Sequence, residues 1–537
     1  MGSLHRLPNE LVAHILLFCA FNDILSCQAT CRFLHEIITT SSIIQYCIAL
    51  EISGLEDNPR SELNIPERLE LLQRREAAWA LFQPNFEQEI PVKNTAVVIY
   101  ELSGGIYLLS GISRDSINHL RLPSLQNGAI PGWDHIPVID ELLDFGLAVT
   151  EHDLIGLCGL SSILISLPRS FEDAVSTLQI RFLQLSTGLP HPLSGEPMQF
   201  TQHILTDNLG VGIEIVGNLA ALVIRDVSFG HHNRDKLLVL DWKRGIIRAE
   251  LYVESRRYQS AIFLTTEILL VTNAYESCLE IWRIPSDTCE SPIICKKPEL
   301  SLGLPVIHPG FMVSEFACRG APNPIISSCD TSRPFHSSPT ESIMVFHLTI
   351  SPLHPRVPIP FVFFAHRYTF LEFLSKAELQ PEPRSAPVPW SEWGPPKTRW
   401  LRARSIPTEW ITTTSGQRYA YVSTQAPLPQ PVVVLDFNQN HVRRVNANIK
   451  NQIFPYHGIF PNEMITTNVA DLAKRVWIDE SRDTYEKMRV FAEDVGGYLP
   501  YVAVKSAQTY GFHGVLMDDE RIIGIKVSLC NFRTSNF

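Results

Sequence analysis

Two textures divide the chain. Over roughly the first eighty residues apolar positions recur three and four apart, whereas from about Val92 they gather into short Val-, Ile-, Leu- and aromatic-rich runs ended by Gly, Pro, Asn or Asp. The first spacing belongs to helix faces and the second to strands. Asn9 can cap a helix, and Glu10 falls in its first turn, where the helix dipole favours a carboxylate. A helix is therefore predicted from Asn9 to near Phe21, with Leu11, Val12, Ile15, Leu16 and Cys19 on its apolar side. Asn22 and Asp23 offer the next cap, and one helix is predicted through Ile24, Leu25, Gln28, Cys31, Leu34 and Ile38. Ser41 and Ser42 open a third. Pro66 starts a fourth, whose stripe is Leu69, Leu72, Trp79 and Phe82.

Three short helices cannot bury both of their faces, so some of Leu7, Pro8, Leu11, Ile15 and Ile24 should stay exposed unless something covers them. The plain alternative is a small helical cap packed on the rest of the chain. As a string, LPNELVAHILLFCAFNDILSCQATCRFLHEI resembles the F-box motif. The matching positions are Leu7, Pro8, Glu10, Leu11, Ile15, Leu16, Asp23, Ile24, Leu25, Cys31, Arg32 and Leu34, in order and at the family's spacing. Ile24 replaces the usual Leu, and Thr30 stands where Val is common. The resemblance covers about 40 of 537 residues. It implies docking onto the Skp-type adaptor of a cullin–RING (SCF-type) ubiquitin ligase through Leu7, Pro8, Glu10, Leu11, Ile15, Leu16, Ile24, Leu25, Cys31 and Arg32, a helix-in-groove type of recognition.

Beyond that motif the chain repeats itself. Polar turns closing on Gly128, Gly188 and Gly245 lie 60 and 57 residues apart, and DLIGLCGL, NLAALVIRDV, EILLVTNAYE and RIIGIKVSL share one strand-like pattern. LEIWRIPS and VVVLDFN read as further outer strands. Six or seven such units fit a WD-repeat-like β-propeller better than a sandwich, and no leucine-rich period is visible. The predicted class is thus a small all-α F-box module followed by a large all-β domain, a six- or seven-bladed propeller. Its predicted parts are an F-box over 1–52, a linker helix region over 53–85 and the propeller over 86–537. The ring is expected to close by bringing strands near Val97–Leu109 beside those near Val515–Val527. Fourteen of the 38 prolines fall between 352 and 431, so long inter-strand loops are expected there. Within them PWSEWGPPKTRW carries Trp390, Trp393, Arg399 and Trp400, either packed structurally or forming a target-binding surface, since Trp and Arg dominate interface hot spots. This segment and the ERLELLQRREAAW helix resemble fungal F-box proteins with a propeller-like remainder.

Composition trims the options. Net charge is −11 with 19% charged residues, which disfavours a general nucleic-acid or anionic-membrane surface. Eleven scattered cysteines without a CxxC pair fit neither a zinc framework nor a disulfide scaffold. With no apolar run long enough to span a bilayer and no glycosylation sequon, a cytosolic or nuclear setting is expected. The motifs GxSxG, GxxxxGK[ST], HExxH and GxGxxG are absent, so no catalytic residue, metal or cofactor is expected. His231 and His232 beside Asp226 and Asp235 read as a loop rather than a metal site, and Asp518, Asp519 and Glu520 as a charged hairpin turn. A propeller hydrolase would need acidic residues converging on the channel. The expected role is a non-enzymatic substrate receptor bound to the adaptor, its propeller holding a target protein; the alternative is a propeller scaffold acting outside a ligase.

Overall fold

The computed structural model describes residues 4–536 except 93–98, 112, 124–131, 139–140, 163–175, 196, 203–208, 227–234, 252–257, 287–291, 326–332, 355–356, 381–383, 385, 403–410, 424–426, 452, 454–468, 482–483, 486–489 and 527–530. Helices α1 (Asn9–Leu16), α2 (Phe21–Thr30), α3 (Arg32–Thr40) and α4 (Ser42–Ser53) follow one another with almost no connecting chain. The single helix predicted through Ile24 to Ile38 is two helices. At Cys31 the backbone is extended (φ −156°, ψ 157°), which ends α2 and starts α3. That bend lets Ile24, Ile37 and Ile38 close over Val12 and Leu16, and Ile44 and Ile48 of α4 complete one small core. α4 stops at Gly54, whose φ of +64° suits glycine.

The rest is a ring. Among the described residues seven antiparallel-based sheets of four or five strands succeed one another, and we number these blades 1 to 7 along the chain. Their innermost strands are Tyr100–Ser103, Glu141–Ala148, Leu209–Val216, Tyr258–Phe263, Phe311–Arg319, Thr414–Ser415 and Gly514–Met517. Each gap between neighbouring blades is filled by its own buried apolar cluster, seven clusters for seven gaps. The fold is a β-propeller. The ring closes as expected, with Leu102, Tyr107 and Leu109 of blade 1 packed on Leu516 and Ile523 of blade 7. Phe86–Pro91 also crosses over to become the outermost strand of blade 7, pairing with Asn531–Asn536, so the two ends of the ring are tied by a ladder.

The sequence repeats map onto single blade positions. DLIGLCGL, NLAALVIRDV, EILLVTNAYE and RIIGIKVSL all supply second strands, of blades 2, 3, 4 and 7. Strands in this position are covered on both faces, which is why Ile106–Ser110 and Ile268–Asn273 are buried at every residue instead of alternately. Gly188 (φ +68°) and Gly245 (φ +67°) sit in the turns between third and fourth strands, so their spacing measures one blade; Gly128 lies outside the described residues. The Pro-rich stretch is less loop-like than predicted. The connection between the last two strands of blade 5 contains helices Arg367–Glu378 and Trp390–Lys397, both contributing to the apolar cluster between blades 4 and 5.

Helix α5 (Ile65–Leu81) joins the two parts. Asn64 caps it through a reciprocal pair of 3.0 Å hydrogen bonds with Glu67, and Pro66 lies in the first turn. Its first half packs Leu72 against Tyr46, Leu50 and Leu55. Its second half drives Ala77, Ala78, Trp79, Leu81 and Phe82 into the gap between blades 6 and 7. A short strand, Leu55–Asp57, pairs with Phe335–Ser337, a strap inserted in blade 5. Charges complete the seam. Glu76 meets Arg75 at 2.6 Å and Arg418, while Asp436 meets His441 at 2.9 Å and Arg418 at 3.7 Å. Burial opposes ionisation of Glu76, but Arg418 and Arg75 outweigh it and hold its carboxyl below the usual range.

Candidate functional site

Helix α1 has two apolar faces. Val12 and Leu16 are inside the module's core, while Leu11 (50% exposed) and Ile15 (46%) point outward and continue the line of Leu4 and Leu7. Phe18, 81% exposed, extends the line by a further three residues, and its ring meets His14 edge-on at 5.2 Å. Leu25 of α2 is also exposed. Spacings of three and four along Leu4, Leu7, Leu11, Ile15 and Phe18 make one stripe, with Pro8, Glu10, Cys31 and Arg32 exposed as well. A stripe of large apolar side chains facing water marks a surface made to be covered.

Two of the predicted contact residues are not on that surface. Leu16 and Ile24 are 4% and 5% exposed because the turn at Cys31 folds α3 over them; they hold the hairpin rather than a partner. Leu4 and Phe18 were missed, although the three-and-four spacing runs through both.

The Trp segment is a correction. Trp390, Trp393, Arg399 and Trp400 are all buried, so they cannot form a target-binding surface. Trp390 meets Trp393 and Trp400 edge-on at 5.0 and 5.5 Å, Trp400 stacks on Phe363, and Trp393 donates its Nε1–H to Gly303 O at 2.8 Å. Arg399 pairs with Asp479, donates to Ser481 O at 2.7 Å and lies over Tyr501. The indoles fill the gap between blades 4 and 5. The acidic turn is structural too: Asp518 pairs with Arg521 at 2.9 Å, Glu520 with Arg521 at 2.9 Å, and Asp519 accepts from Ser337 at 2.8 Å while its carbonyl receives Arg75 at 2.6 Å. His231 and His232 lie outside the described residues.

A second site lies on the propeller axis and was not anticipated. A cavity of about 480 Å³ is walled by inner strands, by the turns that follow them, and by Asn58 and His336 from the linker and the strap. Glu101, Asp144 and Glu214 line it from blades 1, 2 and 3, with Arg319 from blade 5. Burial pushes the carboxyl of Glu101 up to about 8, with Arg319 opposing and Glu214 adding to the rise. It pushes Glu214 to about 7 and Asp144 to about 6, again against Arg319. Converging acidic residues, which the hydrolase alternative requires of the channel, are therefore present. Among the described residues no group of three His, Cys, Asp or Glu is arranged to hold a metal ion, and no single helix is long and apolar enough to cross a membrane.

Comparison with known proteins gives two results. Residues 4–45 match the family model described as F-box-like, so α1 to α3 and the first residues of α4 are the matched segment. No curated protein sequence matches the chain. Among solved structures, the WD40 β-propeller domain of Doa1 is similar at 11% identity, over 53% of this chain and 71% of that one, with a TM-score of 0.28. Hsv2p of Kluyveromyces lactis is similar at 11% identity over 50% and 93% (TM-score 0.21), and AztD of Citrobacter koseri at 9% over 65% and 83% (TM-score 0.24). Likenesses this distant carry no argument about function, and the propeller assignment rests on the strand order itself.

Proposed function

We propose that this protein is the substrate-recognition subunit of a cullin–RING ubiquitin ligase, acting in the cytosol or nucleus and supplying no catalytic residue. The F-box-like helices hold a Skp-type adaptor and the propeller holds a target protein. One observation carries the reading: in the segment that matches the F-box-like model, an apolar stripe from Leu4 to Phe18 faces water on the side opposite the module's own core. A groove on an adaptor that covers it removes several large side chains from water, each worth about 1.5–3 kcal/mol when fully buried. The tight seam at α5 supports the same reading, because a receptor works by proximity. It holds a target lysine near a ubiquitin-charged enzyme, and effective concentration falls if the spacer between them is slack.

Affinity capture of the full chain with proteasome inhibition tests this. Unaltered protein is expected to retain adaptor and cullin, and Leu7→Ala with Leu11→Ala to lose both, by about 100-fold or more in adaptor affinity, with the unfolding temperature unchanged. Retention of the adaptor by the double variant would falsify the assignment of the stripe. Capture of the adaptor without cullin would instead favour a scaffold acting outside a ligase.

A further inference from the structure

The axial cavity has an unbalanced lining. Among the described residues none of its three carboxyls has an ion-pair partner: Glu101 accepts from Leu102 N–H at 3.1 Å, Asp144 from Ile213 N–H at 3.3 Å and from Phe145 N–H, and Glu214 from no protein group. Arg319 is the one cation whose charge acts on all three, and its Nη1 is turned away to Ser260 Oγ at 3.3 Å and Cys318 O at 3.1 Å. The other acidic groups of the wall, Asp518 and Asp519, are met by Arg521 and by Ser337. Arg333 turns toward Glu520 at 3.8 Å. His336 lines the same cavity, and its Nδ1 is shut off from solvent with no hydrogen-bond partner. The unmet groups are thus three carboxyls, one imidazole nitrogen and the Thr412 hydroxyl, and all of them can accept a hydrogen bond.

We propose that this cavity is a binding site for a small organic polycation, a di- or polyamine whose ammonium groups reach Glu214, Asp144 and Glu101 on three successive blades. The geometry selects the class of ligand. The carboxyls are spread over separate blades and form no metal-binding group, so one compact ion cannot satisfy them, whereas an alkyl chain carrying several ammonium groups spans such a lining. Glycine pairs and apolar residues such as Gly104, Gly105, Ile213 and Val149 give the methylene segments somewhere to lie. Asn58 and His336 roof the cavity from the junction of module and propeller, which favours a small molecule over a folded partner. Burial raises Glu101 and Glu214 toward or above neutral pH, so an ammonium group that pairs with them favours loss of their protons.

The test is isothermal titration of the full chain with spermidine near neutral pH, in two buffers of different ionisation heat. Saturable binding, tighter than about 1 mM and accompanied by proton release, is expected. Glu214→Gln and Asp144→Asn should each weaken it about tenfold or more, since each removes a charge-assisted hydrogen bond. Both keep side-chain shape, and Glu214 has no partner to lose, so an unchanged unfolding temperature verifies the fold. Glu250→Gln, on the outer strand of blade 3, should bind as the parent does. An isotherm unaltered by both axial variants overturns the proposal. So does a lack of saturation, or equal binding and proton release with magnesium chloride at matched ionic strength, which would make the cavity a general cation sink. Adaptor capture is not an arm of this test, so its outcome is independent of the ligase reading.

Discussion

The helical module and the propeller use the same kinds of apolar side chain to opposite ends. In the ring a large side chain that enters a gap has two walls to meet, because each gap is bounded by two sheets: Trp393, Trp282 and Trp242 are all essentially fully buried. The module has a single interior shared by four short helices. Val12, Leu16 and Ile24 fill it, and Leu11, Ile15 and Phe18 are left over. An exposed Leu is unremarkable on any protein, but a continuous stripe of them is the remainder of a core that never closed. The comparison teaches that burial is decided by how many surfaces surround a residue. Local pattern alone does not decide it.

The sharpest way to break that contrast is to truncate one aromatic on each side. Trp393→Ala should cost about 3–5 kcal/mol, because the indole is enclosed in the gap between blades 4 and 5 and a cavity would remain. Phe18→Ala should leave unfolding unchanged and weaken only adaptor capture. Thermal and denaturant unfolding of the two variants checks this, and similar losses for both would mean that the stripe is part of a core after all.

The seam between the two regions comes next. Glu76→Gln removes the anion that faces Arg418 and Arg75, and breaking a buried pair by removing one partner typically costs about 3–5 kcal/mol. Its pH dependence has a definite sign. The folded carboxyl of Glu76 lies below its unfolded value, as do those of Asp436, held against burial by His441 and Arg418, and Asp519, held by Arg75. The unfolded state therefore takes up protons first on acidification. Stability from these groups is complete above the ordinary carboxylate range and is lost as pH falls through it and below. Acid should loosen α5 from the ring before the blades separate, so amide protection over residues 76–82 should fall ahead of the strand signal in circular dichroism. Simultaneous loss would show that the seam is not a separate unit.

The axial carboxyls should respond in the opposite direction. Glu101 has a folded pKa near 8 against an unfolded value near 4.5, so its ionisation costs stability progressively as pH rises through that interval. Glu101→Gln should stabilise the ring at pH 8–9 and be neutral near pH 4. A variant no more stable than the parent at pH 9 would show that water or an ion already compensates the charge.

How much of this was readable in advance follows the same division. The helix starts were legible to within a residue or two but not their caps: Asn9 and Asn22 were expected to cap, yet Pro8 and Ala20 hold those positions with no side-chain hydrogen bond, while the reciprocal cap of Asn64 and Glu67 was marked in advance only by Pro66. The second strands of four blades were legible because burial on both faces demands unbroken apolar runs. The break at Cys31 was hidden, since neither Gly nor Pro marks it. The Trp segment was ambiguous because whether an indole is covered depends on helices and strands that meet only after the ring forms. The axial cavity was hidden most deeply. Glu101, Asp144 and Glu214 are 43 and 70 residues apart and converge only at closure. The signal that could have found them is a lone acidic residue inside a strand-like run, in YELS, LLDFG and GIEIV, where an inner strand turns one side chain toward the axis.

The smallest effect isolates the local part of this design from the long-range part. Asn64→Ala removes the side-chain acceptor for Glu67 N–H and half of the reciprocal cap, at a cost of about 1 kcal/mol. If α5 is chiefly a connector fixed by tertiary packing, that loss should appear as a small fall in unfolding temperature, with adaptor capture and spermidine binding intact. The cap holds only the first turn, whereas Trp79, Leu81 and Phe82 anchor the far end between blades 6 and 7. Amide exchange over residues 64–68 should rise while that over 76–82 stays protected. Exchange spreading along the whole helix would mean that capping, more than the inter-blade gap, keeps the module in register with the ring.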